Sequence, residues 1–179
     1  MVHTRQSGWG WLVFGVLAAV SVIGLRPLPG FRLTLGPSAT VAVGRPAPPI
    51  TVRTLTGQPW HLTPGRPLMV NFWASWCEFC QVEAPAVAEM GARADGQYQV
   101  VTVDITAHDS VTAARQFAAR YHLAAPVLLD SSGAIQRAYQ VTVLPTTFYI
   151  NRQGRIVAIV YGAETYAAMK AHIQEAARS

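Results

Sequence analysis

The sequence predicts an α/β fold: a mixed central β-sheet flanked by helices, with an added N-terminal β-hairpin and an N-terminal transmembrane helix. Three observations carry this reading. Two almost continuous apolar runs, PLMVNFW at 67–73 and YQVVTVDI at 98–105, read as strands buried on both faces. Segments with helical spacing follow each run. The main domain then ends in TTFYI, the turn NRQG and RIVAIVYG, an antiparallel hairpin, and a last amphipathic stretch.

Taken in order, residues 1–8 form a short tail. WGWLVFGVLAAVSVIGL, 9–25, carries no charge and as a helix would span roughly 25 Å, the short end of what crosses a bilayer. Trp9 and Trp11 stand at its start, where indole rings favour the membrane–water interface. An uncleaved anchor is the leading reading. A cleaved signal peptide is the rival, but it would carry a shorter apolar core and a clearer cleavage site than Val22-Ile23-Gly24. Charges on the two flanks do not settle the orientation. Residues 26–45, rich in Pro and Gly and without helical period, read as an extended stalk, so the folded domain is 46–179.

Within that domain, PITVRTL and PWHL around Thr56-Gly57 suggest a short hairpin. The segment after Cys77 reads as a helix through about Ala94, with Pro85 kinking it. Asp109 and Ser110 offer a cap for a helix carrying Val111, Ala114, Phe117, Ala118 and Tyr121 at helical spacing. APVLLD is a short strand, GAIQRAY a short helix, and ETYAAMKAHIQEAAR the closing helix. Asp104 and Asp130 end strands and read as turn or cap residues, and the five histidines are scattered.

Charge excludes one class of function. The net charge is +5, yet no acidic residue precedes Glu78, and from residue 46 onward ten Lys/Arg face nine Asp/Glu. The folded domain is therefore close to neutral, without the basic patch a nucleic-acid binder needs, and nucleic acid is not an expected partner.

The chemistry rests on the chain's two cysteines, Cys77 and Cys80, in NFWASWCEFCQVEAP. A structural disulfide closing so short a loop constrains little of the unfolded chain. Zinc needs four ligands, and there is no second pair. Haem attachment needs His after the second cysteine, where Gln81 stands. A copper site would add a local His or Met. A dithiol–disulfide couple remains, with no cofactor and no metal expected. A buried strand ends at Trp73, and Cys77 falls at a helix start, where backbone N–H groups and the helix dipole favour a thiolate. Cys80 shares the helix face and can reach back. Cys77 is expected to be exposed and nucleophilic, Cys80 more buried and resolving. Glu78 between them disfavours a neighbouring thiolate, which makes the disulfide less oxidising and points to a reductant.

VNFWASWCEFC together with LPTTF at 144–148 resembles the thioredoxin-like superfamily, specifically its membrane-anchored TlpA/ResA-like thiol–disulfide oxidoreductases. The likeness runs from VGRPAPPITVRTLTGQPWHL to the Gly162 region, and Asn71, Glu83 and Pro85 match it specifically; Phe79 departs from the relatives' usual Pro. The resemblance implies a thioredoxin-like fold in which Pro145 is cis and packs beside the cysteines. Leu144 and Thr146 would then offer backbone groups to an incoming chain. It also implies a proton-accepting role for Glu83, where cytosolic thioredoxins use an Asp at the position of Asn71; a solvated helix glutamate is the alternative. Trp76 either covers the thiol or is an ordinary core tryptophan.

The resulting expectation is an anchored, extracytoplasmic protein disulfide reductase acting through Cys77 attack and Cys80 resolution. By resemblance, its partners are substrate proteins with disulfides, such as apocytochrome c or copper-site proteins of oxidases, and a transmembrane electron donor of the CcdA/DsbD type. The alternatives are a peroxiredoxin-like peroxidase, whose P-x-x-x-T-x-x-C setting is absent, and a non-enzymatic copper-binding or docking module.

Overall fold

A computed structural model describes residues 40–179. The expected transmembrane segment 9–25 and stalk residues 26–39 lie outside the described residues; among those described, no helix is long and apolar enough to cross a membrane. The end of the expected stalk is already packed. Gly44 donates its N–H to Ile156 O at 2.7 Å, and Ile156 N–H donates to Arg45 O at 2.9 Å.

Strands β1 (Thr51–Arg53) and β2 (Pro59–His61) pair antiparallel as a small separate sheet. Val52, Leu55, Trp60 and Leu62 from this region pack on the main core. The central sheet has five strands: β3 (Leu68–Trp73), β4 (Gln99–Asp104), β5 (Val127–Leu129), β6 (Thr146–Ile150) and β7 (Ile156–Tyr161), in the order β5-β4-β3-β6-β7. The pairs β3–β4 and β4–β5 are parallel, whereas β6 is antiparallel to both β3 and β7, so the sheet is mixed. Strand β3 lies in the middle, and all six of its residues are buried, as its unbroken apolar run requires.

Alternation along β3 splits the core in two. Leu68, Val70 and Phe72 join Val101, Val103, Phe148 and Tyr139 on one face. Met69 joins Val87, Met90, Tyr149, Met169 and Ile173 on the other, beneath helices α1 (Glu78–Ala92) and α4 (Tyr166–Arg178). Asn71, two residues from Met69, is turned to that same helix-covered face. Helix α1 approaches the connection before β5 closely at Gly91, where a Cβ would stand 2.9 Å from Ala125 N. Only glycine fits there without backbone movement.

Helix α2 (Val111–Arg120) is capped by Ser110, whose hydroxyl accepts the Ala113 N–H. Trp73 stacks on Phe117 of this helix at 4.2 Å between centroids. The short α3 is Ala134–Ala138. Two helix boundaries differ from the sequence expectation. Helix α1 ends at Ala92 rather than Ala94, its last turn closed by the Arg93 N–H on Glu89 O. Helix α4 begins at Tyr166 because Thr165 takes the capping position and accepts the Ala168 N–H, which leaves Glu164 outside the helix.

Candidate active site

The buried central strand β3 delivers the chain to one end of the sheet, and the connection Ala74-Ser75-Trp76 turns it into α1. The connection is held by the segment that follows the neighbouring strand β4. Asp109 accepts the Ser75 N–H at 2.6 Å and the Ser75 hydroxyl at 2.8 Å, and the Trp76 indole donates to His108 O at 2.9 Å. From within α1, the Gln81 amide donates to Ser75 O at 3.0 Å. Asp109 thus serves the active-site turn, while the helix cap falls to Ser110 alone. Trp76 is 60% exposed, which rules out the core-tryptophan reading.

Cys77 occupies the N-cap of α1 in extended conformation, and its Sγ accepts the Cys80 N–H at 3.1 Å. The two cysteines are joined as a disulfide with Cα atoms 5.2 Å apart. The sulfur destined to carry negative charge therefore already sits where a helix N-terminus directs N–H groups. The expected exposure difference is small: Cys77 is 6% exposed and Cys80 2%. Cys77 is buried because it lines the floor of a groove rather than standing on a convex surface. That groove, of about 510 Å³, is lined by Trp76, Cys77, Phe79, Ile105, Gln136 and Leu144, among others.

The Leu144–Pro145 peptide is cis. Of the residues expected to bind substrate, Trp76 and Leu144 line the groove. Pro145 is buried, and its carbonyl accepts the Gly162 N–H at 2.9 Å. Thr146 does not face the groove: it is fully buried between Phe72 and Tyr161 in the sheet, its hydroxyl on Val143 O.

Glu83, one turn beyond Cys80, is 2% exposed, so it is not a solvated helix residue. Its carboxyl is gripped by two donors. Asn71 Nδ2 donates to Oε2 at 2.9 Å, and the Glu164 N–H donates to Oε1 at 3.0 Å. Asn71 Nδ2 spends its second proton on Thr147 Oγ1 at 2.9 Å, which fixes the amide. Burial is the dominant influence on the carboxyl; it outweighs both hydrogen bonds, and the nearby Glu164 charge adds to it. Together they push Glu83 from the ordinary 4.5 to about 7. A group poised there can accept and return a proton near neutral pH. Beside Cys80 lies a cavity of about 10 Å³ lined by Asn71, Trp73, Ala84 and Phe117, among others; it has about the volume of one water.

A second buried carboxyl stands at the end of β4. Asp104 is fully buried, and burial first of all pushes it from 3.8 to about 7, although Thr106 donates to its Oδ1 at 2.6 Å. Its Oδ2 has no hydrogen-bond partner among the described residues. Asp130 has the turn role its position suggests, with Oδ2 accepting the Gln136 N–H at 2.7 Å. Among the described residues, no cluster of three or more His, Cys, Asp or Glu is arranged to hold a metal ion.

The sequence reading missed Glu164 and Thr147, and it assigned Asp109 only as a cap. Glu164 looked like the first residue of a surface helix, and no local pattern links it to a glutamate 81 positions away.

Residues 43–159 match the AhpC/TSA family. The thiol-disulfide oxidoreductase ResA of Geobacillus thermodenitrificans is 33% identical over 139 residues, 75% of this chain and 78% of the relative. Among solved structures, a putative thiol:disulfide interchange protein DsbE from Chlorobium tepidum has a TM-score of 0.69 at 29% identity, covering 76% of this chain and 99% of that one. StoA from Bacillus subtilis has a TM-score of 0.63 at 26% identity, covering 75% and 98%. With its disulfide at a helix start on a mixed sheet, the chain belongs to the AhpC/TSA family of thioredoxin-like proteins, as a thiol–disulfide oxidoreductase similar to ResA, DsbE and StoA.

Proposed function

We propose that this oxidoreductase is a reductant of protein disulfides, anchored by 9–25 and working outside the cytoplasm at the end of its stalk. The observation that carries the reading is the placement of Cys77. It caps α1 and lines a groove, and a buried carboxyl titrating near neutrality stands one turn beyond its partner Cys80 on the same helix.

The reaction balances as two exchanges. The Cys77 thiolate attacks one sulfur of a substrate disulfide; a Cys77–substrate bond forms, the substrate S–S bond breaks, and the released sulfur takes a proton. Cys80 then gives its proton to Glu83 and attacks Cys77 Sγ, which frees the second substrate sulfur. The substrate gains two electrons, and Cys77–Cys80 is left oxidised. Outside the cytoplasm the pair needs a donor to be reduced again, and a transmembrane carrier of the CcdA/DsbD type fits that need. Exposed Trp76 and Phe79 line the groove with Cys77 and suit a polypeptide substrate. Apocytochrome c and oxidase copper-site proteins are the substrate candidates. The Glu78 charge between the cysteines favours the reducing direction.

In cells, a membrane-impermeant thiol reagent tests side and poise together. It is expected to label Cys77 without permeabilisation, and to do so less in cells lacking the electron donor; labelling only after lysis overturns the placement. Purified protein should reduce a protein disulfide such as insulin's in the presence of dithiothreitol. Catalytic peroxide consumption without disulfide reduction would favour the peroxidase reading instead.

Glu83→Gln tests the proton role. An amide cannot take the Cys80 proton, so resolution of the mixed disulfide at pH 7 is expected to slow by ~100-fold, within the range of general base catalysis. The thiol titrations should lose the inflection near pH 7. Unchanged thiol titrations would remove Glu83 from the mechanism.

A further inference from the structure

Glu164 is more deeply engaged than a residue at the mouth of a surface helix needs to be. Its side chain is 5% exposed and is held between two elements. Tyr149 of β6 donates its hydroxyl to Oε2 at 2.8 Å, and His172 of α4 brings Nε2 to 3.4 Å from Oε1. The Tyr149 and His172 rings lie against each other at 4.8 Å between centroids. Oε1 has no hydrogen bond among the described residues, so only the charge of His172, when that ring is protonated, compensates it. These two side chains fix where the Glu164 backbone points, and it points its N–H at Glu83 Oε1.

We propose that Glu164 is a positioning residue of the redox site, holding the Glu83 carboxyl with its backbone N–H and setting a second carboxylate beside it. The proposal rests on the reading of Glu83 as the proton acceptor for Cys80. The groups facing the pair are few. Asn71 of β3 meets Glu83, while Tyr149 of β6 and His172 of α4 meet Glu164, and each carboxyl meets the other. Among the described residues, neither carboxyl has a hydrogen bond or ion pair to a Lys or Arg, so like-charge repulsion between them is not cancelled from that quarter. Glu164 is itself pushed up, by burial first, and opposed by Tyr149 and His172. Tyr149 is raised by burial and by both carboxyls. The arrangement runs from the buried Glu83 to a half-exposed histidine and ties the proton affinity of the site to a carboxylate that never touches the cysteines.

The test is a side-chain carboxyl titration by ¹³C NMR on the described domain within the full chain, in wild-type, Glu164→Gln and Glu83→Gln proteins. Gln at 164 keeps the shape, the backbone N–H and an acceptor for Tyr149 but removes the charge. The Glu83 midpoint is expected to fall by ~0.5 pH unit in Glu164→Gln, because a like charge has gone. Linkage requires the converse: the Glu164 midpoint should fall by the same amount in Glu83→Gln. This second variant keeps the question open to refutation if the first folds poorly. The pH profile of reduced Cys77–Cys80 attacking a small disulfide is recorded alongside. A Glu83 midpoint that falls together with the thiol profile supports the proposal and the underlying mechanism. A Glu83 midpoint that falls while the thiol profile stays put supports the coupling and overturns the role of Glu83. Midpoints that do not move in either variant overturn the proposal, whatever the thiols do.

Discussion

Cys80→Ser protein is expected to accumulate as a covalent adduct with its substrate through Cys77, and to lose turnover altogether. The first exchange needs only the N-cap sulfur, which this variant keeps. The second needs the sulfur whose backbone N–H lies 3.1 Å from Cys77 Sγ. Serine at that position cannot attack a disulfide, so the reaction halts with the Cys77–substrate bond intact. Cys77→Ser should give neither adduct nor turnover, because Cys77 lines the groove where an incoming disulfide would lie and Cys80 does not. Non-reducing gels of the two variants, incubated with a disulfide protein and then probed by mass spectrometry, read both outcomes. Adducts formed through Cys80 in the Cys77→Ser protein would reverse the assignment of attacking and resolving sulfurs. Both variants should keep the fold, since the disulfide closes a loop of only three residues' separation and constrains the unfolded chain little.

Stability of the oxidised protein is expected to fall as the solution is taken from about pH 4.5 to pH 7.5. Glu83 and Asp104 both titrate near 7 in the folded chain, against ordinary values of 4.5 and 3.8. Between those limits the folded chain holds two protons that the unfolded chain has released. Stability therefore decreases with rising pH, and the contribution is lost once pH passes the folded values. At 1.36 kcal/mol per unit, each group accounts for roughly 3 kcal/mol across the window. Urea unfolding at several pH values should show this slope in wild-type protein, a shallower one in Glu83→Gln or Asp104→Asn, and the shallowest in the double variant, where the raised Glu164 still contributes. The slope is the diagnostic, because Gln at 83 offers one acceptor to two donors, Asn71 and the Glu164 N–H, and lowers stability at every pH. A slope identical in all four proteins would mean that neither carboxyl is protonated in the fold.

The two buried carboxyls also show where sequence reasoning stops. Strand β3 is legible because burial on both faces demands apolar residues in succession, and Leu68–Trp73 supply them. Cys77 is legible as a helix start because the strand must end and the next residues keep helical spacing. Trp76 and Glu83 stayed ambiguous. Each has a common bland role, and only the fold shows that the tryptophan is exposed and the glutamate buried. The side chain of Thr146 is taken up by the sheet between β3 and β7, which no local pattern foretells.

Local order decides what a chain can be read for. Periodicity, a two-residue gap between cysteines and a turn signal are relations among near neighbours, and they dictated the mixed sheet, its helices and the redox pair. The partners of Ser75 and Glu83 lie 34 and 81 residues away. No periodicity connects them; the order β5-β4-β3-β6-β7 brings their loops to one end of the sheet. The proton chemistry beside the cysteines depends on desolvation and on those distant donors, so it exists only once the sheet has assembled and water has been excluded.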